Sequence, residues 1–190
     1  MILPVRAFGD PVLRKKAHDI PKDYPELQTL VDNMFETMYS ANGIGLAAPQ
    51  VGLDIRLFVV DVTPLAEDED YTDIAEELKD FRKVFINAKI LEESGEEWKF
   101  NEGCLSIPEV REDVKRKETV KIEYFDEKFV KHTDTFSDIR ARVIQHEYDH
   151  IEGILFTDHL SSLKKKLVKG KLAKISQGDV NVSYKMRFPK

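Results

Sequence analysis

The sequence contains a single cysteine, Cys104, which excludes an intramolecular disulfide and any dependence on an oxidising compartment. No stretch approaches the roughly 18 uninterrupted apolar residues of a membrane span, and Met1-Ile2-Leu3-Pro4-Val5-Arg6 has no basic region followed by a long apolar one. The expectation is a cytoplasmic protein that does not engage a membrane. Internal repeats and low-complexity tracts are also missing, which argues against solenoids and disordered linkers. Acids are scarce in one place: residues 161–190 carry nine Lys and Arg against Asp179 alone, although the whole chain has a formal charge of −6. That basic end reads either as a solvated amphipathic tail or as a segment that meets nucleic acid.

With 42% hydrophobic and 34% charged residues over 190 positions, the chain can bury a core and keep a solvated surface, and the length suits one domain spanning 1–190. Leu27, Leu30, Val31, Met34, Phe35 and Met38 recur at three- and four-residue steps and predict a helix over 25–39. Strands are expected over 56–62, 83–90 and 118–125, the last in a hairpin with 129–133 across Asp126-Glu127. The acidic stretch 63–80 reads as a surface loop with at most one helical turn. Ser137-Asp138 can cap a helix that Gly153 would end. A basic helix opens at Ser161-Ser162 with Leu163, Leu167, Leu172 and Ile175 near one side, and strict alternation over 180–188 predicts a half-buried terminal strand.

The most informative segment is His146-Glu147-Tyr148-Asp149-His150. Residues four apart share a helical face, so both imidazoles can reach one metal ion with Glu147 beside them. Ile139, Val143, His146 and His150 continue one stripe, which aims the histidines inward; a pair of satisfied core histidines is the bland alternative. A catalytic site of this kind takes three protein ligands and leaves a position open. The protease motif that adds a histidine six residues after the second one fails here, since Gly153 is present but Phe156 stands where that histidine belongs. His159 fits no such spacing. Cys104, in Glu102-Gly103-Cys104-Leu105-Ser106, is the better third ligand, because a thiolate binds a borderline-soft metal strongly. A third segment, Gly43-Ile44-Gly45-Leu46-Ala47-Ala48-Pro49-Gln50, offers glycines for close backbone approach and a Gln50 amide that could donate to a developing oxyanion.

In this order, the Gly43–Gln50, Glu102–Ser106 and His146–His150 segments resemble the three signature motifs of peptide deformylases, and Asp10-Pro11-Val12-Leu13-Arg14 is similar to that family as well. The likeness covers about residues 1–165. It implies an α+β fold, antiparallel strands around a central metal-binding helix, followed here by a basic helix and a terminal strand. It implies that Cys104, His146 and His150 hold the metal, that Glu147 is the general acid/base, and that Gln50 and the Leu105 N–H stabilise the oxyanion. Gly45 would align the peptide backbone, and Ile44, Gly103, Arg111, Ile139 and Val143 match positions near the methionine pocket. The reaction implied is removal of the formyl group from N-formylmethionyl nascent peptides with release of formate. Fe2+ is the implied metal, with Zn2+, Ni2+ or Co2+ as substitutes, and chains leaving the ribosome as substrates suggest that the basic segment meets the ribosome. The acidic 63–80 stretch and the terminal strand depart from many members. A metallopeptidase built on the same helix and a purely structural metal module are the rivals; a fourth protein ligand would favour the latter.

Overall fold

In the computed structural model, which describes residues 1–189, the chain runs β1 (Val5–Arg6), α1 (Leu27–Ser40), β2 (Gly45–Ala47), β3 (Leu57–Asp61), α2 (Ala75–Leu78), β4 (Arg82–Cys104), β5 (Ile107–Phe125), β6 (Lys131–Ser137), α3 (Asp138–Ile151), α4 (Ser162–Ser176) and β7 (Met186–Arg187). The strands β2-β3-β4-β5-β6 form one antiparallel sheet in that order, and β1 pairs with β7 in parallel. This is the expected α+β arrangement.

Alternation along the strands decides the layers. Phe58, Val60 and Phe85 point to a cluster that holds Ile139, Val143 and Ile144 of α3, while Leu57, Val59, Val84 and Ile86 point to one that holds Val31, Met34, Phe35 and Met38 of α1. The sheet is thus covered by α3 on one face and α1 on the other. A third cluster joins Leu13, Ile107, Val110 and Val114 to Phe156, Val168 and Ile175, and fixes the end of the β4–β5 hairpin against the C-terminal region.

Several elements differ from expectation. Strands predicted at 83–90 and 118–125 are the roots of a much longer hairpin, since β4 continues to Cys104 and β5 starts at Ile107. The extension is hard to read because much of it is charged and exposed on both faces, with little apolar alternation. Cross-strand pairs such as Lys89 with Glu123, Glu92 with Lys121 and Glu97 with Lys117 take its place, each worth about 0.2–1 kcal/mol. The acidic stretch folds into two 3-10 turns and α2, anchored by buried Leu78. Ser137 does occupy the N-cap position of α3, yet its side chain makes no cap bond; its hydroxyl meets Thr119 instead. Gly153 ends the helix as expected, with φ +75° and Ile154 N–H donating to Asp149 O at 2.9 Å.

The apolar stripe assigned to α4 needs correction. Leu163 and Leu167 are exposed, 68% and 70%, and the face that packs inward carries Val168, Leu172 and Ile175. Two stripes of helical period coexist there, and only the surface the helix meets chooses between them. In the terminal segment the predicted alternation is present, with Val180, Val182, Tyr184, Met186 and Phe188 all partly buried and their neighbours up to Arg187 exposed. Only Met186 and Arg187 pair as a strand, and their partners are Val5 and Arg6.

Candidate metal centre and active site

Helix α3 packs its apolar residues on the sheet and carries His146 and His150 on one face toward the hairpin tip, where Cys104 is the last residue of β4. A register shift between Gly103 and Cys104 breaks the ladder just before the tight turn Leu105-Ser106. Strand geometry thereby gives way to a local bend that turns the thiol toward α3. Cys104 Sγ lies 3.3 Å from His150 Nε2, and one donor atom from each of Cys104, His146 and His150 falls within 4.8 Å of the others. Two ligand atoms bound to one ion at about 2.0–2.3 Å stand roughly 3.5 Å apart at a tetrahedral angle, so this spacing suits a shared metal.

The residue that sequence reasoning left out of the site is Glu102. Its Oε2 meets His146 Nδ1 at 2.9 Å, and its carboxylate accepts from Arg116 Nε at 2.7 Å and Arg142 Nη1 at 2.9 Å. A proton on Nδ1 leaves His146 Nε2 free as a ligand, the usual carboxylate–histidine arrangement around a metal. Burial alone would raise the Glu102 pKa; the bonds from His146 and Arg116 reverse this and hold it well below the usual carboxylate range. Arg142 is 1% exposed, donates to Trp98 O at 2.7 Å and stacks on the Trp98 ring at 4.4 Å. A signal for it did exist: an arginine four residues before His146, on the buried face of the same helix.

The two histidines sit in opposite electrostatic surroundings. Burial works against the His146 imidazolium, but Cys104 and Glu102 outweigh it and raise its pKa well above the ordinary value. His150 is pushed down to about 3, first by burial and then by positive His146, so its imidazole is neutral and able to ligate. Among the described residues no fourth histidine, cysteine or carboxylate joins the group. His159 is engaged elsewhere, its Nε2 2.7 Å from Asp149 Oδ2, and Asp149 also accepts from Arg116. Three protein donors with no fourth suit a catalytic metal better than a structural one.

Glu147 is 4% exposed and its Oε2 has no partner among the described residues. Burial, helped by negative Glu102 and Asp149 and opposed by His146, pushes its pKa up to about 7. Gly45 lies against it: a Cβ there would come within 2.8 Å of Glu147 Cγ and Cδ. Gln50 is 1% exposed and accepts from Ala47 N–H through Oε1 at 2.9 Å, which leaves Nε2 to face Cys104 Sγ at 3.4 Å and Ser106 Oγ at 3.3 Å. Leu105 follows Cys104 in the turn, and its N–H meets no backbone or side-chain acceptor among the described residues.

Cys104, Leu105, His146, Glu147 and Gln50 open on a cleft of about 590 Å³, which Ile44, Gly45, Gly103, Arg111 and Val143 also line; His150 is buried and does not line it. Ile139 does not reach it; that side chain is buried in the core between α3 and the sheet. Arg111 folds over Gly103 and donates to Asn101 Oδ1 at 2.9 Å, and a Cβ on Gly103 would come within 2.7 Å of its Nη1.

Comparison with known proteins agrees with this geometry. The polypeptide deformylase family profile matches residues 2–166. A peptide deformylase of Christiangramia forsetii is 65% identical over 190 residues, covering 100% of this chain and 97% of that protein. One from Salinibacter ruber is 46% identical over 184 residues, with 97% and 93% covered. The crystal structure of a peptide deformylase from Legionella pneumophila superposes with a TM-score of 0.79 at 36% identity, over 94% of this chain and 98% of that one. With the profile spanning most of its length and such relatives along all of it, the chain belongs to the peptide deformylase family, metal-dependent hydrolases that remove the N-formyl group from nascent peptides.

Proposed function

We propose that this chain, acting as one domain over residues 1–190, hydrolyses the formyl amide of N-formylmethionyl nascent peptides, with Cys104, His146 and His150 holding Fe2+ and with Zn2+, Ni2+ or Co2+ able to substitute. The observation that carries the reading is the cluster of three metal donors, two of which, Cys104 and His146, line one cleft together with a buried carboxylate and an aimed amide. When bound, the metal lowers the pKa of a coordinated water towards neutrality and polarises the attacked carbonyl. Glu147 takes the proton of the attacking water at a carboxylate oxygen and later delivers it to the leaving amine. A pKa near 7 suits both halves of that exchange. Gln50 Nε2 and the Leu105 N–H donate to the oxygen on which charge develops; such donors are typically worth about 10²–10³ in rate. Ile44, Gly103, Arg111 and Val143 shape the cleft for the methionine side chain, and Ile139 supports it from the core. Protein purified without oxygen should carry iron and release formate, not peptide-bond products, from a formyl-methionyl peptide. Peptide cleavage in its place would favour the metallopeptidase reading.

The Gly45 contact supplies a direct check. Gly45→Ala is expected to displace Glu147 and to lower kcat/KM by about tenfold or more with metal content unchanged, since a misplaced catalytic group can cost about 10². Wild-type turnover would show that the Glu147 position tolerates the shift.

No helix among the described residues is long and apolar enough to cross a membrane. The cytoplasm is the compartment we propose, as a place where the enzyme would meet formylated chains as they emerge. The α4 lysines support contact with the ribosome, whose phosphates attract them, although Lys164 also pairs with Glu112 at 2.7 Å. Replacing Lys164, Lys165 and Lys166 with glutamine is expected to weaken co-sedimentation with ribosomes at low salt while sparing hydrolysis of a short formyl peptide. Unchanged co-sedimentation would remove this patch from that role.

A further inference from the structure

The turn that carries the Leu105 N–H is held from outside the hairpin, and one of the holding groups comes from the far end of the chain. Tyr184 O–H donates to Leu105 O at 2.7 Å, Phe8 N–H donates to Ser106 O at 2.8 Å, and Gln50 Nε2 meets Ser106 Oγ at 3.3 Å. Phe8 and Tyr184 lie next to the strands that pair the two chain ends, β1 and β7, where Val5 N–H donates to Lys185 O and Ala7 N–H to Arg187 O, each at 2.9 Å. The segment is anchored on both sides of Tyr184. Val180, Met186 and Phe188 enter the third apolar cluster, and Asn181 N–H donates to Glu109 Oε1 at 3.1 Å. So fixed, Asn181, Val182, Ser183 and Tyr184 line the same cleft as Gly45, Gln50 and Glu147. None of these four residues falls in the 2–166 stretch that the family profile matches.

We propose that residues 181–184 form a wall of the substrate cleft and that Tyr184 is a positioning residue, its hydroxyl fixing the Leu105-Ser106 turn and hence the Leu105 N–H. The inference rests on the deformylase reading. An oxyanion donor helps only as charge develops in the transition state, so a loosened turn lowers kcat and leaves ground-state binding alone. A cleft wall that contacts the peptide beyond methionine binds ground and transition states alike, so damage to it raises KM.

Tyr184→Phe in the full metal-loaded chain removes the hydroxyl and keeps the ring. With a formyl-methionyl tripeptide it is expected to lower kcat about fivefold, the weight of one neutral hydrogen bond, with KM within about twofold of wild type and metal content unchanged. Val182→Asp, on the wall and away from the hydroxyl, is expected to raise KM for the same tripeptide with kcat within about twofold. Wild-type kcat in Tyr184→Phe, or a fall matched by metal loss, overturns the proposal. Should that variant fail to fold, an unchanged KM in Val182→Asp overturns it. A wild-type chain that releases no formate from the tripeptide would count against the deformylase reading instead.

Discussion

Glu147→Gln is expected to bind metal as the wild type does and to hydrolyse a formyl peptide about 10²–10⁴-fold more slowly, the usual worth of general acid/base catalysis. The amide fills the same volume beside Gly45 but neither takes a proton from water nor returns one to the amine. None of the three donor atoms belongs to Glu147, and its Oε2 has no partner whose loss would disturb them. Metal content and turnover measured on one preparation decide the matter. Turnover above about a tenth of wild type would take Glu147 out of the proton-transfer role, because that loss is far below what such catalysis supplies.

The second large effect is on the metal. Cys104→Ser is expected to lose bound metal on dialysis, since a hydroxyl stays protonated where a thiolate would ligate and is a poor donor for a borderline-soft ion. His159→Ala is expected to keep it. The imidazole of His159 serves Asp149, which retains Arg116 at 2.8 Å. Metal analysis of both variants separates these outcomes, and a site emptied by His159→Ala alone would overturn the three-ligand assignment. Cobalt-substituted wild type should also show sulfur-to-metal charge transfer that Cys104→Ser lacks.

Both expectations were legible before any coordinates, because the histidine spacing maps directly onto a helical face and the motifs lie in short local segments. What depends on partners distant in sequence was not. Glu102 stands two residues before Cys104 in the sequence, but its role is defined by Arg116, Arg142 and His146, which the fold alone gathers around it. Ile139 and Val143 read alike on the helix; packing against the sheet buries the first, while the second lines the cleft. The central hairpin was legible only at its apolar roots, since its charged length is stabilised by cross-strand pairs rather than by alternation. For α4, two apolar stripes were present and the surface that buries Val168 and Ile175 selected one.

The parallel pairing of Val5 with Met186 also bears on the order in which the protein assembles. That contact closes a loop of nearly the whole chain, and closure entropy makes contacts of such separation late to form. Synthesis runs from the N-terminal side, so the sheet, α3 and the hairpin can fold before Tyr184 comes within reach of Leu105. The three candidate metal donors are all present by His150, ahead of the cleft-lining residues 181–184. On that order of assembly, hydrolysis of a formyl peptide is expected to lag behind metal uptake as the chain is synthesised.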